Sequence, residues 1–282
     1  MSLGLKRKRK GLTPAYAADE LVRQARALSA RGESISAFNA YKQALAIREE
    51  HISGTEYPVL DELGKTYSKF SFYSEAIDCF SKATQVVTTK YYADHPFNAR
   101  ILDHWSEVFL NQRRFAEAEP LIRRSLEIKQ KCLLQNDVDT VETTRTLAEV
   151  LRELGKYDEA EALLKKTLLL IENSTIGPIE EFYMDLAQIY LAQTRFADAH
   201  SQLQIALPLL AHRAGKNRRY VLGLELLADL LRKEDRLEEA RQIALEAQAI
   251  ELIEDHHPLS KTVPAAQHPY FATDLYPATI LH

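Results

Sequence analysis

The chain has 282 residues, of which 46% are hydrophobic and 27% charged, and its 36 Lys and Arg against 40 Asp and Glu leave a net charge of −4. General disorder is excluded, because it requires low hydrophobicity and high net charge. The chain contains no run of 18 apolar residues, which excludes a transmembrane helix. The nine glycines disfavour a turn-rich β-sandwich or barrel and favour long helices.

The N-terminus carries a basic cluster with no apolar stretch behind it, so it is not a secretory signal. With two cysteines in the chain, this predicts a reducing, cytoplasmic compartment. Residues 1–13 are expected to form a flexible, solubilising terminus, although contact with nucleic acid or an anionic membrane stays open. The body of the chain is mildly acidic, which makes nucleic acid an unlikely partner. The cluster consists of Lys6, Arg7, Lys8, Arg9 and Lys10.

A three-residue motif that ends in alanine occurs six times along the chain, from a weak copy at Ile35-Ser36-Ala37 to Glu238-Glu239-Ala240. The spacings of these anchor alanines are 39, 42, 42, 39 and 41 residues. Self-similarity at such a period is typical of repeat proteins. The anchors are Ala37, Ala76, Ala118, Ala160, Ala199 and Ala240.

Small residues also occupy two other positions in every copy, twelve residues before the anchor and seven after it. Because positions 0, +4 and +7 lie on one helical face, the small side chains at 0 and +7 allow a neighbouring helix to approach closely, and the apolar residue at +4 fills the gap on the next layer. The residues at −12 are Ala25, Gly64, Ser106, Ala148, Ala187 and Ala228, and those at +7 are Ala44, Ala83, Ser125, Thr167, Ala206 and Ala247.

A second amphipathic helix precedes each anchor, and a short turn joins the two. In the fourth copy the turn is Gly155-Lys156-Tyr157, where the glycine can adopt the left-handed conformation of a helix cap. The first helix is expected to begin at Thr13-Pro14, a cap followed by proline at the first helical position. The sequence therefore predicts an all-α chain of about six antiparallel helix pairs over residues 14–255.

The pattern resembles the tetratricopeptide repeat family. The matching residues of the fourth copy are Leu147, Ala148, Leu151, Gly155, Tyr157, Ala160, Leu164 and Thr167. The spacing near 42 and the linker Asp94-His95-Pro96 are similar to the kinesin light chain subtype. The resemblance implies a right-handed superhelical solenoid whose first helices line a concave groove, and a non-catalytic scaffold or adaptor that binds a partner peptide or helix.

Groove residues are assigned to the face of each first helix opposite its apolar stripe, with Arg145, Glu149, Arg152 and Lys65 as the leading contacts and a less polar step at the fifth copy. Two alternatives stay open, a peptide-responsive regulator whose basic N-terminus contacts nucleic acid, and an enzyme with a site hidden in three dimensions. The oligomeric state cannot be derived. The predicted groove residues are Lys65, Lys69, Asp103, Glu107, Asn111, Arg145, Glu149, Arg152, Gln188, Asp229 and Arg232.

Other motifs are interpreted as structural. Gly64-Lys65-Thr66 lacks the preceding glycine of a phosphate-binding loop, and Asp255-His256-His257 with His268 lies in a proline-interrupted stretch unsuited to a fixed zinc site. Trp105 and Cys79 are expected in the core, and Cys132 at a helix end. No catalytic motif is found, so neither an enzyme activity, a cofactor nor a metal is predicted.

Residues 256–282 depart from the repeat. Four prolines exclude a full helix pair there, yet the segment also carries apolar side chains such as Tyr270, Phe271 and Ile280. This C-terminal tail is expected to lie against the last repeat or the groove, or to dock another protein.

Overall fold

A computed structural model describes residues 13–133, 137–171, 178–214 and 217–255. These ranges contain twelve helices and no strand. The helices are α1 (Pro14–Ala30), α2 (Ser34–His51), α3 (Tyr57–Lys69), α4 (Tyr73–Lys90), α5 (Pro96–Asn111), α6 (Phe115–Cys132), α7 (Val138–Glu153), α8 (Tyr157–Ile171), α9 (Ile179–Ala192), α10 (Phe196–Ala214), α11 (Arg218–Lys233) and α12 (Leu237–Asp255).

Odd-numbered helices precede the repeat turn and are called A helices, and even-numbered helices follow it and are called B helices. The chain divides into two compact units, unit 1 up to Gly155 and unit 2 from Lys156. In unit 1, α1 packs on α2, α3 on α4 and α5 on α6, while in unit 2 α9 packs on α10 and α11 on α12. Within each unit the predicted helix pairs are therefore present.

The division after Gly155 was not expected, because the repeat runs through it without a change in pattern. The anchor spacing predicts where each helix pair lies in the sequence. It does not predict which pairs pack together into one compact unit.

Each turn between an A and a B helix contains one residue in the left-handed conformation, always five positions before the anchor alanine. Gly155 has the φ of +74° that its sequence context predicted. Four of the six positions carry residues with a Cβ atom, for which this conformation is unfavourable. The six residues are Gly32, Ser71, Arg113, Gly155, Thr194 and Asp235.

The hydrogen bonds of these turns explain why the conformation recurs. In five turns the amide after the left-handed residue donates to the carbonyl five residues earlier, as from Phe72 to Tyr67 at 2.9 Å and from Arg195 to Tyr190 at 2.8 Å. This bond satisfies a carbonyl at the end of the A helix. The turn thus ends one helix and begins the next within three residues.

Side chains cap the starts of four A helices. Thr13 Oγ1 accepts from the Tyr16 amide at 3.3 Å, which confirms the predicted start of α1. His95 Nδ1, Asp137 and Asn217 accept from backbone amides at the starts of α5, α7 and α11. Such caps satisfy amide groups that have no partner inside the helix.

The core lies where the repeat pattern placed it. All eighteen residues at the anchor, −12 and +7 positions are buried. At Gly64 the reason for a small residue is direct, since an added Cβ would lie 2.8 Å from the ring of Phe80. Phe80 stands four residues after its anchor, so the large side chain of a B helix fills the space left by the small residue of its A helix.

Trp105 packs against two apolar clusters of unit 1, which agrees with its predicted core position. One cluster includes Ile101 and Val108, and the other includes Leu102 and Ile128. The indole N–H is buried and has no hydrogen-bond partner among the described residues. The ring therefore contributes by apolar packing.

Candidate functional site

The predicted groove residues all lie on A helices. Three of them lie on α5 and three on α7, while α3 and α11 carry two each and α9 carries one. They are Lys65 and Lys69 on α3, Asp103, Glu107 and Asn111 on α5, Arg145, Glu149 and Arg152 on α7, Gln188 on α9, and Asp229 and Arg232 on α11. Their burial and their partners separate them into buried residues and residues accessible to a partner.

Two of the predicted contacts, Asp103 and Arg145, are buried. Only 7% of Asp103 and 5% of Arg145 is exposed. Both stand fifteen residues before their anchors, a position that is also buried at Asp61 and Met184. The expectation that Asp103 and Arg145 present their charges to a partner is therefore corrected, since this repeat position is buried in the second to fifth copies.

Asp103 is occupied by an ion pair within unit 1. Its carboxylate lies 2.7 Å from Lys129 Nζ of α6 and accepts a hydrogen bond from Ser125 Oγ. Lys129 Nζ also donates to Thr143 Oγ1 of α7 at 2.6 Å. A buried charge requires such partners, and these contacts tie α5, α6 and α7 together.

Asp61 forms a second buried pair one repeat earlier. Its Oδ1 lies 2.7 Å from His104 Nδ1 of α5, and Arg100 Nε lies 3.8 Å from Oδ2. Burial by itself would raise the pKa of Asp61, but the charge and hydrogen bond of His104, with Arg100 nearby, hold that pKa below its usual value. Because an ionised carboxylate can only accept, His104 Nδ1 is the donor. The pair fixes α5 against α3.

A more exposed ion pair and a hydrogen bond join α1 to α3. The guanidinium of Arg26 donates to both carboxylate oxygens of Glu62, at 3.0 and 3.1 Å. Lys65 Nζ lies 3.5 Å from the same carboxylate. Lys69 Nζ donates to the carbonyl of Ser29 at 2.7 Å, near the end of α1. The predicted contact Lys69 thus also has a structural role.

The accessible part of the site in unit 1 is a row of charged residues, one on each A helix. We define this charge row as the residues eleven positions before each anchor, Arg26, Lys65, Glu107 and Glu149. Arg26 and Glu149 are exposed, and Lys65 and Glu107 are half-buried. The row changes from basic on α1 and α3 to acidic on α5 and α7.

Arg26 was missed at the sequence level. The first copy of the repeat is weak around Ile35-Ser36-Ala37, so no groove residue was assigned to α1. The signal was nevertheless present, because Ala25 is the small residue at −12 and Arg26 follows it directly. Reading every copy from the −12 residue, rather than from the anchor motif, would have found it.

Unit 2 has a different surface on its A helices. Gln188 of α9 is half-buried, whereas Asp229 and Arg232 of α11 are exposed and form an ion pair with each other. Met184 of α9 is buried and packs with Ala206 and Leu210. Met184 is therefore a core residue, and the less polar step of the groove at the fifth repeat stays a prediction.

Asn111 and Arg152 complete the predicted set. Asn111 is exposed and ends α5. Arg152 is partly exposed, and its guanidinium lies 2.8 Å from the Glu153 carboxylate. Both side chains remain accessible at the C-terminal ends of their A helices.

The remaining candidates behave as structural residues where they are described. Gly64, Lys65 and Thr66 lie inside α3, so no phosphate-binding loop forms there. Cys79 is buried and burial raises the pKa of its thiol to about 12, while Cys132 is exposed at the end of α6. The basic cluster at 6–10 and the histidines at 256, 257 and 268 lie outside the described residues.

The described ranges contain neither a membrane-spanning helix nor a group of side chains suited to bind a metal ion. They contain no helix long and apolar enough to cross a membrane. In the same ranges no three His, Cys, Asp or Glu side chains are grouped closely enough to hold a metal ion.

A family model of the tetratricopeptide repeat matches the chain twice, over residues 99–173 and 139–211. The matched residues carry tetratricopeptide repeats. The curated relatives include kinesin light chain-related protein 3 of Arabidopsis thaliana, 21% identical over 211 residues, which are 74% of this chain and 32% of that protein. The predicted kinesin light chain-like character of its repeats is thus confirmed.

A second relative of this tetratricopeptide repeat chain is the secreted RxLR effector protein RXLR-C07 of Plasmopara halstedii. It is 24% identical over 187 residues, which are 64% of this chain and 57% of the effector. The chain therefore spans between about a third and somewhat more than half the length of these curated relatives.

Solved structures confirm the fold class. One is a kinesin light chain protein from Podosopora anserina, whose TPR-like repeats are nearly identical to one another. It superposes on this chain with a TM-score of 0.63 at 17% identity, covering 72% of this chain and 99% of its own. YrrB, a TPR protein with an unusual peptide-binding site, has a TM-score of 0.50 at 19% identity, covering 70% of this chain and 88% of its own. The predicted all-α repeat fold is thus shared with known tetratricopeptide repeat proteins.

Proposed function

We propose that the chain is a non-catalytic protein-interaction scaffold that holds a peptide or helix of a partner along the charge row of unit 1. The tetratricopeptide repeats support the general role, and YrrB is one protein of this fold with a peptide-binding site. The observation that carries the specific proposal is the change of sign along the row, from Arg26 and Lys65 to Glu107 and Glu149.

The charge row is well suited to hold a partner because other contacts fix the helices that carry it. Arg26 is held by Glu62, and one turn from Lys65 the buried Asp61 pairs with His104 of the next A helix. Side chains that are already positioned lose less conformational freedom on binding. The exposed charges can therefore recognise a partner without rearranging the helices below them.

The dimensions of the row suggest the partner. Four A helices at about 8–10 Å from axis to axis span roughly 25–30 Å, which is the length of about eight or nine extended residues. The partner segment should carry acidic residues over α1 and α3 and basic residues over α5 and α7. Lys69, Asn111 and Arg152 lie on the same helices and serve as further contacts, whereas the buried Asp103 and Arg145 do not.

The test is selection of displayed random peptides on the purified chain, followed by affinity measurements with charge-reversal variants. We expect Lys65→Glu and Glu149→Lys each to weaken the selected peptides about three- to tenfold, because like charges then face each other. A peptide with the matching charge reversed should restore the affinity.

Lys42→Glu is the matched control, since Lys42 is an exposed lysine of the same unit that lies on α2. All variants should melt at the wild-type temperature. Selected peptides that bind Lys65→Glu and Glu149→Lys as tightly as wild type would show that the partner segment binds elsewhere.

A further inference from the structure

The last B helix, α12, has an apolar surface on the side that faces away from its own helix pair. Ala247 and Ile250 pack with Val221 and Leu224 of α11. On the opposite side, Leu245 is 55% exposed and Leu252 is 61% exposed. Seven residues separate these leucines, so they lie on the same stripe, two turns apart. We call this surface the outer stripe of α12.

Comparison with the other copies shows that the outer stripe is specific to the last repeat. Leu245 and Leu252 stand five and twelve residues after their anchor. In the five earlier copies nine of the ten equivalent residues are polar and the tenth is alanine. They are Lys42, Ser81, Arg123, Lys165 and Gln204 at the first position, and Glu49, Thr88, Gln130, Glu172 and Ala211 at the second. A solvent-facing position of the repeat has thus become apolar only where the repeats end.

The segment that follows α12 has the composition to cover this stripe. Residues 256–282 begin directly after Asp255, three residues beyond Leu252. Residues 270–281 contain six large apolar side chains, at Tyr270, Phe271, Leu275, Tyr276, Ile280 and Leu281. Prolines at 258, 264, 269 and 277 fix the backbone in conformations that disfavour a helix and suit an extended strand of chain lying on a surface.

The length of the segment is sufficient as well. Fifteen residues from Asp255 to Tyr270 can reach up to about 50 Å when extended. Leu245 and Leu252 are only about 10 Å apart along the helix. A covalently attached segment also has an effective concentration near the millimolar range, which favours it over a separate molecule.

We propose that residues 256–282 of this chain bind along the outer stripe of α12, with the apolar side chains of residues 270–281 on Leu245 and Leu252. This segment then covers a surface that is polar and faces solvent in the earlier copies, and it keeps the apolar side chains of the last B helix out of water. The inference is independent of the proposed function, because it involves neither unit 1 nor the charge row.

The experiment is hydrogen exchange with mass spectrometry on the 282-residue chain, comparing wild type with the double variant Leu245→Gln, Leu252→Gln. Glutamine is the kind of residue that other copies carry here, so the repeats should remain folded, as circular dichroism can verify. Peptides from 265–282 should lose about tenfold or more of their protection in the variant, since two leucines no longer contribute apolar contact. Leu222→Gln, at an exposed leucine of α11, is the control and should leave the protection unchanged.

A reciprocal variant tests the other side of the contact. Tyr270→Ser with Phe271→Ser should lower the protection of the peptide 245–255 and leave that of α11 unchanged. A tail that exchanges as fast as an unstructured peptide in wild type, or equally slowly in the Leu245→Gln, Leu252→Gln variant, would overturn the proposal. Protection that disappears on dilution, with a dimer mass by light scattering, would overturn it too, because the occupant would then be a second copy.

Discussion

One repeat position, fifteen residues before the anchor alanine, is buried in α3, α5 and α7 of unit 1 and in α9 of unit 2, and it is filled in two different ways there. In unit 1 it carries the buried charges Asp61, Asp103 and Arg145, and in unit 2 α9 carries the buried thioether of Met184. Asp61 and Asp103 are held by ion pairs to neighbouring helices, whereas Met184 makes apolar contacts. The same backbone position can therefore join helices by charge or by packing, and only the first makes stability depend on a specific partner and on pH.

The largest expected effect comes from breaking the Asp103 pair. Asp103→Ala leaves the Lys129 ammonium buried without its carboxylate, and removing one member of a buried pair costs about 3–5 kcal/mol of unfolding free energy. Urea unfolding should measure this loss, and hydrogen exchange should locate it in α5, α6 and α7.

The matched substitution in unit 2 is Met184→Leu, which conserves volume and leaves no charge behind. It should cost less than about 1.5 kcal/mol. In unit 1, Asp103→Leu combined with Lys129→Met should recover most of the stability lost in Asp103→Ala. A double variant as unstable as Asp103→Ala would mean that the ion pair is not the reason for the loss.

The Asp61–His104 pair predicts a second difference, in acid. The folded-state pKa of Asp61 lies below its usual value, so the pair contributes stability above the unfolded-state pKa of about 3.9 and loses it as pH falls through the lower folded value. Asp61→Asn should therefore destabilise the chain by about 1.5–3 kcal/mol at neutral pH, and this gap from wild type should close below about pH 4.

Urea unfolding of both proteins at several pH values, from neutral down to well below the unfolded-state pKa of about 3.9, gives the gap directly. Met184 cannot titrate, so Met184→Leu should differ from wild type by the same amount at every pH. A gap between Asp61→Asn and wild type that stays constant over the whole series would show that Asp61 does not stabilise the fold as a carboxylate.

The smallest expected effects lie in the turns. Thr194 of unit 2 is a β-branched residue with a φ of +59°, so Thr194→Gly should relieve strain and stabilise the chain by about 0.5–1 kcal/mol after the entropy of glycine is subtracted. Gly32 of unit 1 has open space where a Cβ atom would lie, so Gly32→Ala tests the backbone alone and should destabilise by about 1 kcal/mol. Thermal unfolding can resolve both, and effects of the same sign would contradict the explanation.

The fold was largely predictable because small residues at fixed spacing have few alternative explanations. Gly64 is small because Phe80 of the following B helix approaches it closely, and periodicity reports this reason directly. The surface was harder, because helical periodicity gives the direction of a side chain and not its depth. Asp103 points toward the predicted face, but its partner Lys129 comes from a B helix that the face assignment had not considered. Arg26 was missed because its copy of the repeat is weak.

The three-residue turns also bear on how such a chain can change its length. The distance from the left-handed residue to the anchor alanine is five in all six copies, while the full repeat varies from 39 to 42 residues. All the variation in length therefore lies outside the stretch from turn to anchor. Recombination that cuts between a B helix and the next A helix would exchange whole helix pairs and preserve the pairing inside each of them. An insertion in the turn would instead shift every contact between the two helices, so the gain and loss of repeats is restricted to the linkers.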